Sequence, residues 1–303
     1  MPGQDFVLGI DFGGTKIDLA TAFLSGELHV RERAATAAHR GADQALARAI
    51  EIGQRLVETT AAEGGRCRAV AAVSPGIAGE DGIALAPNIP GWDSLALAPL
   101  LGVAFRGIPV LVDNDVMAAT LAEATAGALA GADPGLFLSL GTGLGLGIVS
   151  GGRVLTGANR AAGEIGYLLR TNTAAGAFAQ GRAPLEEAIG GRALGERASM
   201  LTGRPSTGQD AMESNDPSVV ALVDDALDEL ACHVANLCIT LDPERVAVGG
   251  GLTAQADRVI GTLSRRIKEA VPFPPDICLA RYPLEGALRG AVTLARQELR
   301  EHL

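Results

Sequence analysis

The sequence predicts an α/β protein built from two similar halves, and three observations lead there. Short apolar runs rich in Val, Ile and Leu recur along the 303 residues, and each ends in a glycine-rich or acidic turn. Segments with a helical apolar period alternate with these runs. Segments 65 to 112 and 204 to 250 both pass from apolar strands to glycine or acidic turns, which gives the two halves. No shorter repeat is visible.

The first element is Phe6-Val-Leu-Gly-Ile10, ending at Asp11-Phe-Gly-Gly-Thr-Lys16. Alternation resumes through Ile17, Leu19 and Ala20, so a hairpin with a glycine turn is expected. A helical period through Leu46, Ala49, Ile50, Gly53, Leu56 and Val57 precedes an apolar strand from Ala69 to Val73. Pro75 to Pro99 is rich in Pro, Gly and Asn and reads as irregular loop. The buried strand Val110-Leu-Val112 runs into Asp113-Asn114-Asp115, and a helical pattern follows through Met117, Ala118, Leu121 and Ala128. Leu136 to Leu140 enters Gly141-Thr-Gly-Leu-Gly-Leu-Gly147, after which Ile148-Val-Ser150 and Gly151-Gly152 read as a second hairpin. Asp216-Pro217 supplies an N-cap and first-turn proline for a long helix bearing Val219, Leu222, Val223, Ala226, Leu227, Leu230, Val234 and Leu237. Val246-Ala-Val248 then enters Gly249-Gly-Gly251, and a last helix covers about Leu284 to Leu299.

Two lobes of about 120 to 170 residues suit the length. Apolar residues form 48% of the chain and aromatics 3%, so the core must be made of Ala, Leu, Val and Ile. Net charge is −10, and of 25 basic residues only Lys16 and Lys268 are lysines, with no basic run; nucleic acid is not an expected partner. Cys67, Cys232, Cys238 and Cys278 have no C-x-x-C spacing, so free, buried thiols in a reducing compartment are expected. Without a signal peptide or a bilayer-length apolar run, the expected location is the cytoplasm.

Three glycine-rich turns follow apolar strands: Asp11 to Lys16, Gly141 to Gly147 and Gly249 to Gly251. Glycine lets backbone N–H groups approach phosphate oxygens and tolerates positive φ, so three such turns together point to a nucleotide. A dinucleotide fingerprint needs a helix directly after its glycines, whereas Ile148 to Val154 is apolar, β-branched and broken by Gly151-Gly152. A P-loop is excluded because neither lysine has a G-K-[ST] context. Phosphoryl transfer needs charge stabilisation, a metal near the phosphates and a carboxylate for the attacking hydroxyl. Asp11 and Asp115 each follow a strand, where catalytic groups of open α/β sheets sit; Asp115 could equally be a simple helix cap. Asn114, a neutral donor and acceptor beside it, suits a polyhydroxylated substrate.

With these residues in order, the chain resembles the ROK family of sugar kinases and sugar-responsive repressors, within the actin-like ATPase superfamily. Asp11-Phe-Gly-Gly-Thr-Lys16 looks like the first phosphate motif, Ala86-Pro-Asn88 with Gly91-Trp92 like the sugar loop, and Asn114-Asp115 like the catalytic pair. Gly141-Thr-Gly143 looks like the second phosphate motif, Gly163-Glu-Ile-Gly166 like the G-E-x-G segment, and Asp242-Pro-Glu244 through Gly251 like the adenosine motif. The resemblance implies a two-lobed actin-like ATPase (ribonuclease H-like) fold with a cleft between lobes: residues 1–115 plus about 289–303 in the smaller lobe and 116–288 in the larger. It implies ATP-dependent phosphorylation of a hexose or amino-hexose, at O6, with Asp115 as general base and Asp11 acting through Mg²⁺ or its water. Gly13, Gly14, Thr15, Lys16, Thr142 and Gly143 would hold phosphates, with Gly250 and Gly251 against the nucleotide. Gly76, Asn88, Asn114, Glu164, Tyr167 and Glu186 would line the sugar. A homodimer is common in the family.

One departure bears on substrate. Family members commonly carry a zinc held by a His after G-E-x-G and three Cys of C-x-C-G-x-x-G-C-x-E; here Tyr167, Ala177, Ala179 and Pro184 stand at those positions. No zinc is therefore expected. His29, His39, His233 and His302 lie elsewhere without ligand spacing. Tyr167 and the zinc-less loop suggest an altered sugar preference, compatible by analogy with an amino-sugar kinase such as a kanosamine kinase. The alternatives are a DNA-binding repressor, disfavoured because the first motif starts at residue 11 and the charge is negative, and a non-catalytic sugar sensor, disfavoured because Asp11, Asn114 and Asp115 are all retained.

Overall fold

β1 (Phe6–Phe12) is apolar except at Gly9 and Asp11 and is buried along nearly its whole length in the computed structural model, which describes residues 4–79, 82–86, 90–171 and 174–301. It pairs antiparallel with β2 (Lys16–Phe23), from Phe6↔Phe23 to Phe12↔Ile17, so the expected glycine turn closes a hairpin. β3 (Leu28–Ala35) pairs on the outside of β2, and α1 (Ala42–Ala61) turns Ala45, Leu46, Ala49, Ile52 and Leu56 into the core at helical spacing. β4 (Cys67–Ser74) lies parallel on the other side of β1.

The segment expected to be irregular contains order. β5 (Ile77–Gly79) and β6 (Gly82–Ala84) pair antiparallel, and α2 (Leu97–Ala104) begins before the expected loop ends. Strands of three residues show no alternation, and Pro99 sits in the first turn of α2, where its missing N–H costs nothing. Trp92, which the resemblance groups with the sugar loop, is a core residue: its ring is fully buried, 5.0 Å from Phe12, and its N–H donates to Ser74 Oγ at 2.6 Å. Replacing it by Ala should cost about 3–5 kcal/mol.

β7 (Val110–Asn114) pairs parallel with β4 and is followed without a break by α3 (Asp115–Ala126). The first sheet has the order β3-β2-β1-β4-β7.

β8 (Gly135–Leu140), β9 (Leu144–Ser150) and β10 (Arg153–Val154) run antiparallel in succession. β9 starts at Leu144, so Gly145 and Gly147 are strand residues and the turn is only Gly141 to Gly143. Then come α4 (Glu186–Ile189), α5 (Gly191–Thr202), α6 (Gly208–Glu213) and α7 (Pro217–Leu241). Asp216 caps α7, accepting from Ser218 N–H at 2.9 Å ahead of Pro217, as the sequence suggests. β11 (Arg245–Gly249), α8 (Ala256–Ala270) and β12 (Asp276–Leu279) complete a second sheet with the order β10-β9-β8-β11-β12, and α9 (Gly286–Glu301) ends the described chain.

Contacts divide the chain into two compact units: Met1–Ala122, Ala158–Arg160 and Glu285–Leu303 in one, Glu123–Gly157 and Ala161–Leu284 in the other. In the first, Ala291, Val292 and Ala295 of α9 pack on Val7, Ala71 and Val73, and α9 crosses α3 so closely that a Cβ at Gly290 would lie 2.0 Å from the Ala118 carbonyl oxygen. In the second, the core gathers Leu136, Leu138, Leu146, Val246 and Val248 of the sheet under Val223, Leu230 and Val234 of α7. One cysteine departs from expectation: Cys238 is buried and Cys67 and Cys278 are half-buried, but Cys232 is exposed on the solvent face of α7. Among the described residues no helix is long and apolar enough to cross a membrane.

Candidate active site

In the first unit, the parallel register sets Asp11 beside Val73, and Val73 beside Asp113, so the ends of β1, β4 and β7 lie level at one edge of the sheet. Two strand spacings separate β1 from β7, about 10 Å. Asp115 follows β7 directly, and Asp11 and Asp115 are both partly exposed at that edge. Burial first, then the charges of Asp115 and Asp18, push the Asp11 carboxyl up to about 7, against the pull of Lys16 and Arg31. Burial pushes Asp115 up to about 6, although hydrogen bonding from Val116 N–H opposes the rise. Two carboxylates close enough to feel each other resist simultaneous ionisation, which is how a protein stores a proton acceptor near neutral pH.

Asp18 lies directly opposite Asp11 on β2, an unfavourable pairing of like charges. Burial would raise Asp18, but hydrogen bonds from Arg31 and Arg33 outweigh it and hold the carboxyl below its usual range. The two guanidiniums thus neutralise Asp18 from two sides, and Arg31 also pairs with Glu285.

The turn after β1 is held by Gly13 N–H donating to the Lys16 carbonyl at 2.9 Å and by Thr36 Oγ1 donating to the Gly13 carbonyl at 2.6 Å. A Cβ at Gly13 would stand 2.8 Å from the Lys16 oxygen, so glycine is required there by close approach. Of the glycines in the three turns singled out from the sequence, Gly250 alone has positive φ, at 97°. The expectation that these glycines serve left-handed backbone is thus corrected: Gly13, Gly143 and Gly249 stand at close approaches without it, while Gly141 and Gly251 face open space.

Asn114 is 7% exposed and highly engaged. Its Oδ1 accepts from Val116 N–H at 2.8 Å and Met117 N–H at 2.9 Å, and its Nδ2 donates to the Gly76 carbonyl at 2.8 Å. The helix cap that the sequence offered to Asp115 is therefore made chiefly by Asn114, which leaves Asp115 for other work. Gly76, at φ 90°, is tied to the same turn. Asn88 lies outside the described residues.

In the second unit, Gly163 lies flat against β9: Leu146 N–H donates to its carbonyl at 3.0 Å, and a Cβ there would stand 1.7 Å from the Leu146 oxygen. Glu186 begins α4 and accepts from Leu144 N–H at 3.0 Å, with Gly143 and Gly166 both close to its side chain. Burial raises the Tyr167 phenol, and the carboxylates of Glu164 and Glu186 raise it further, so these three side chains share one locality. The loop at the cysteine-less positions is held by packing and polar contacts. Tyr167 meets Phe178 edge-on at 5.7 Å, Ala177 and Leu185 are buried, and Arg182 pairs with Glu187 at 2.6 Å.

A surface pocket of about 390 Å³ opens where Gly141, Thr142 and Gly251 meet α5 and α6. Part of its wall is closely packed backbone: Gly191 N–H donates to the Gly141 carbonyl and Arg192 N–H to the Thr142 carbonyl, while added Cβ atoms at Gly191, Gly195 and Gly208 would fall 2.5, 2.7 and 2.4 Å from neighbouring oxygens. The sequence reading missed the rest of this lining, which includes Arg192, Glu196, Ser199, Ser206, Thr207, Gln209 and Leu252. The spacing Gly191-x-x-x-Gly195, with Thr207-Gly208 opening the next helix, was the available signal.

The ROK family model matches residues 7–298. The chain belongs to the ROK family. It is 31% identical to a β-glucoside kinase of Listeria innocua over 82% of this chain and 83% of that protein. It is 30% identical to a kanosamine kinase of Amycolatopsis mediterranei over 97% of each. Among solved structures, a ROK glucokinase of Streptomyces griseus in complex with glucose and AMPPNP superposes with a TM-score of 0.77 at 25% identity, covering 96% of this chain and 99% of that one. The chain is thus a sugar kinase with the actin-like ATPase fold, as the sequence led us to expect, and sugar kinases of the family use ATP.

Proposed function

We propose that this ROK protein phosphorylates O6 of a hexose or amino-hexose from ATP, with Asp115 as general base. The supporting observation is the pair of carboxylates at one sheet edge, Asp115 with its acidity shifted to about 6 and Asp11 to about 7. At neutral pH Asp115 is an acceptor of matched strength for a sugar hydroxyl, and Val116 N–H together with the Asn114 cap fixes its orientation. Asp11 suits a magnesium ion, held directly or through one of its waters, since magnesium binds through one or two carboxylates and completes its shell with phosphate oxygens and water. Bound there, Mg²⁺ would neutralise charge on the transferring phosphoryl group. Gly13, Gly14, Thr15, Lys16, Thr142 and Gly143 are assigned to the phosphates, and Gly250, Gly251 and the pocket beside them to the nucleoside.

For the sugar, the assignment takes Glu164, Tyr167 and Glu186, with Gly76, Asn88 and the remaining Nδ2 hydrogen of Asn114. Two carboxylates around a phenol favour a substrate that brings a positive charge, which supports an amino-hexose such as kanosamine over glucose. The two named relatives act on different sugars, so the family alone does not choose. A panel of glucose, mannose, fructose, N-acetyl-hexosamines, a β-glucoside and kanosamine, compared by kcat/KM with ATP, tests this. Highest kcat/KM for kanosamine is expected; a preference for an uncharged sugar overturns the amino-sugar reading, and no turnover of any sugar overturns O6 transfer in favour of a non-catalytic sensor. The reading also holds that the chain works in the cytoplasm as a homodimer, without nucleic acid or zinc. One tightly bound zinc per chain in metal analysis, or a monomer in sedimentation, would overturn those parts.

A further inference from the structure

Arg160 has φ 56°, one of four non-glycine residues at positive φ among those described. Left-handed backbone is strained for an arginine, and such strain persists where surrounding contacts enforce it. The excursion carrying Arg160 is bounded by Gly157 at φ 76° and Gly163 at φ 86°, and is closed at its neck by Ala162 N–H donating to the Thr156 carbonyl at 3.1 Å. Ala158–Arg160 packs with the first unit although the chain on either side belongs to the second.

The guanidinium of Arg160 reaches Asp113 Oδ1 at 2.5 Å, and the same oxygen accepts from Asn114 N–H at 2.8 Å. Asp113 thus sits under Arg160 on one side and under the backbone of the Asn114-Asp115 turn on the other. Three residues beyond Arg160, the chain becomes Gly163-Glu-Ile-Gly166.

We propose that Arg160 is a positioning residue of the transfer reaction: by clamping Asp113 it fixes the turn that presents Asp115. The inference rests on the reading of Asp115 as base. An arginine held in left-handed backbone is an expensive way to make a surface ion pair, which by itself contributes little. Placement of a base is worth far more, since errors near 1 Å cost up to about a hundredfold in rate.

The test is steady-state kinetics of the full chain, with ATP and the best acceptor from the sugar panel, for Arg160→Gly, Asp113→Asn, their double variant, Arg160→Lys and Asp115→Asn. Glycine relieves the strained φ, so the melting temperature of Arg160→Gly should stay within a few degrees of the parent. Its kcat should fall about tenfold with the KM for ATP unchanged, the double variant should be no slower than either single one, and lysine should recover part of the loss. Parental kcat in Arg160→Gly, or multiplicative losses in the double variant, overturns the inference. An inactive Asp115→Asn beside a fully active Arg160→Gly removes the clamp and leaves the base assignment standing, whereas a fully active Asp115→Asn removes both.

Discussion

The two sheets share one plan, order β3-β2-β1-β4-β7 in the first unit and β10-β9-β8-β11-β12 in the second, and each opens with a hairpin closed by glycines. Their turns are chemically unlike. The first is flanked by Asp11 and Lys16, with Asp18 opposite Asp11; the second, Gly141-Thr142-Gly143, carries no charge, and its nearest carboxylate, Glu186, arrives from α4. The same scaffold has been given titrating groups in one copy and bare amides and carbonyls in the other. On the proposed assignment, chemistry and ligand cradling could then be varied separately.

The strongest way to break this contrast is at Asp115. Asp115→Asn should lower kcat by about a hundredfold or more while calorimetry shows sugar still binding. In the parent, kcat/KM should fall about tenfold per pH unit below about 6, as the base is protonated. A variant of parental speed would make the charged turn as passive as the neutral one.

Asp11 tests the same contrast through stability. Its acidity is shifted up from 3.8 to about 7, so the folded state holds the proton more tightly than the unfolded chain. That stabilisation is complete below about pH 3.8 and is lost as pH rises through about 7. The full shift corresponds to about 4 kcal/mol, which partial exposure and coupling to Asp115 reduce to about 2. In urea melts of the ligand-free protein, Asp11→Asn should therefore lose about 1 kcal/mol less than the parent between pH 5 and pH 8, the part of that window the titration covers. Equal losses would show that the carboxyl titrates normally.

For the neutral turn the expected effect is smaller and of another kind. In Gly250→Ala, a Cβ forced 2.3 Å from the Leu140 oxygen at φ 97° should weaken AMPPNP binding about tenfold, with kcat at saturating ATP nearly unchanged. Unaltered nucleotide affinity would show that Gly250, packed against Leu140 where the neutral turn begins, takes no part in cradling the nucleotide. The smallest change belongs to the loop near Glu186: Arg182→Ala removes an exposed pair and should cost less than about 1 kcal/mol in a thermal melt, because Leu185 and Ala177 hold the loop by burial. A larger loss would mean that the ion pair has taken over the role of a metal.

Long periodic segments were legible. The apolar face of α7 runs through Val219, Leu222, Val223, Ala226, Leu227 and Leu230, and all six are buried. The edge that brings Asp11 near Asp115 was legible because each follows an apolar strand. What escaped the sequence lacks period. β5 and β6 are three residues each, and Trp92 reads equally as a loop aromatic or a core anchor until Phe12 and Ser74 are found around it. Asn114 has the right chemistry for a sugar, but only coordinates reveal that three of its hydrogen-bonding positions are spent on Val116, Met117 and Gly76. The α5 and α6 pocket was hidden because its signal is small residues where backbones touch, which in a chain with 40 glycines does not stand out.

The pocket walled by Gly191, Gly195 and Gly208 has a consequence for chemical intervention. A compound gripping those carbonyls and amides would hold backbone that no point mutation can trade away, and any Cβ introduced at the three glycines would damage the protein before it repelled the compound. Resistance to such an inhibitor would have to arise at the side chains that share the lining, such as Arg192, Glu196 and Gln209.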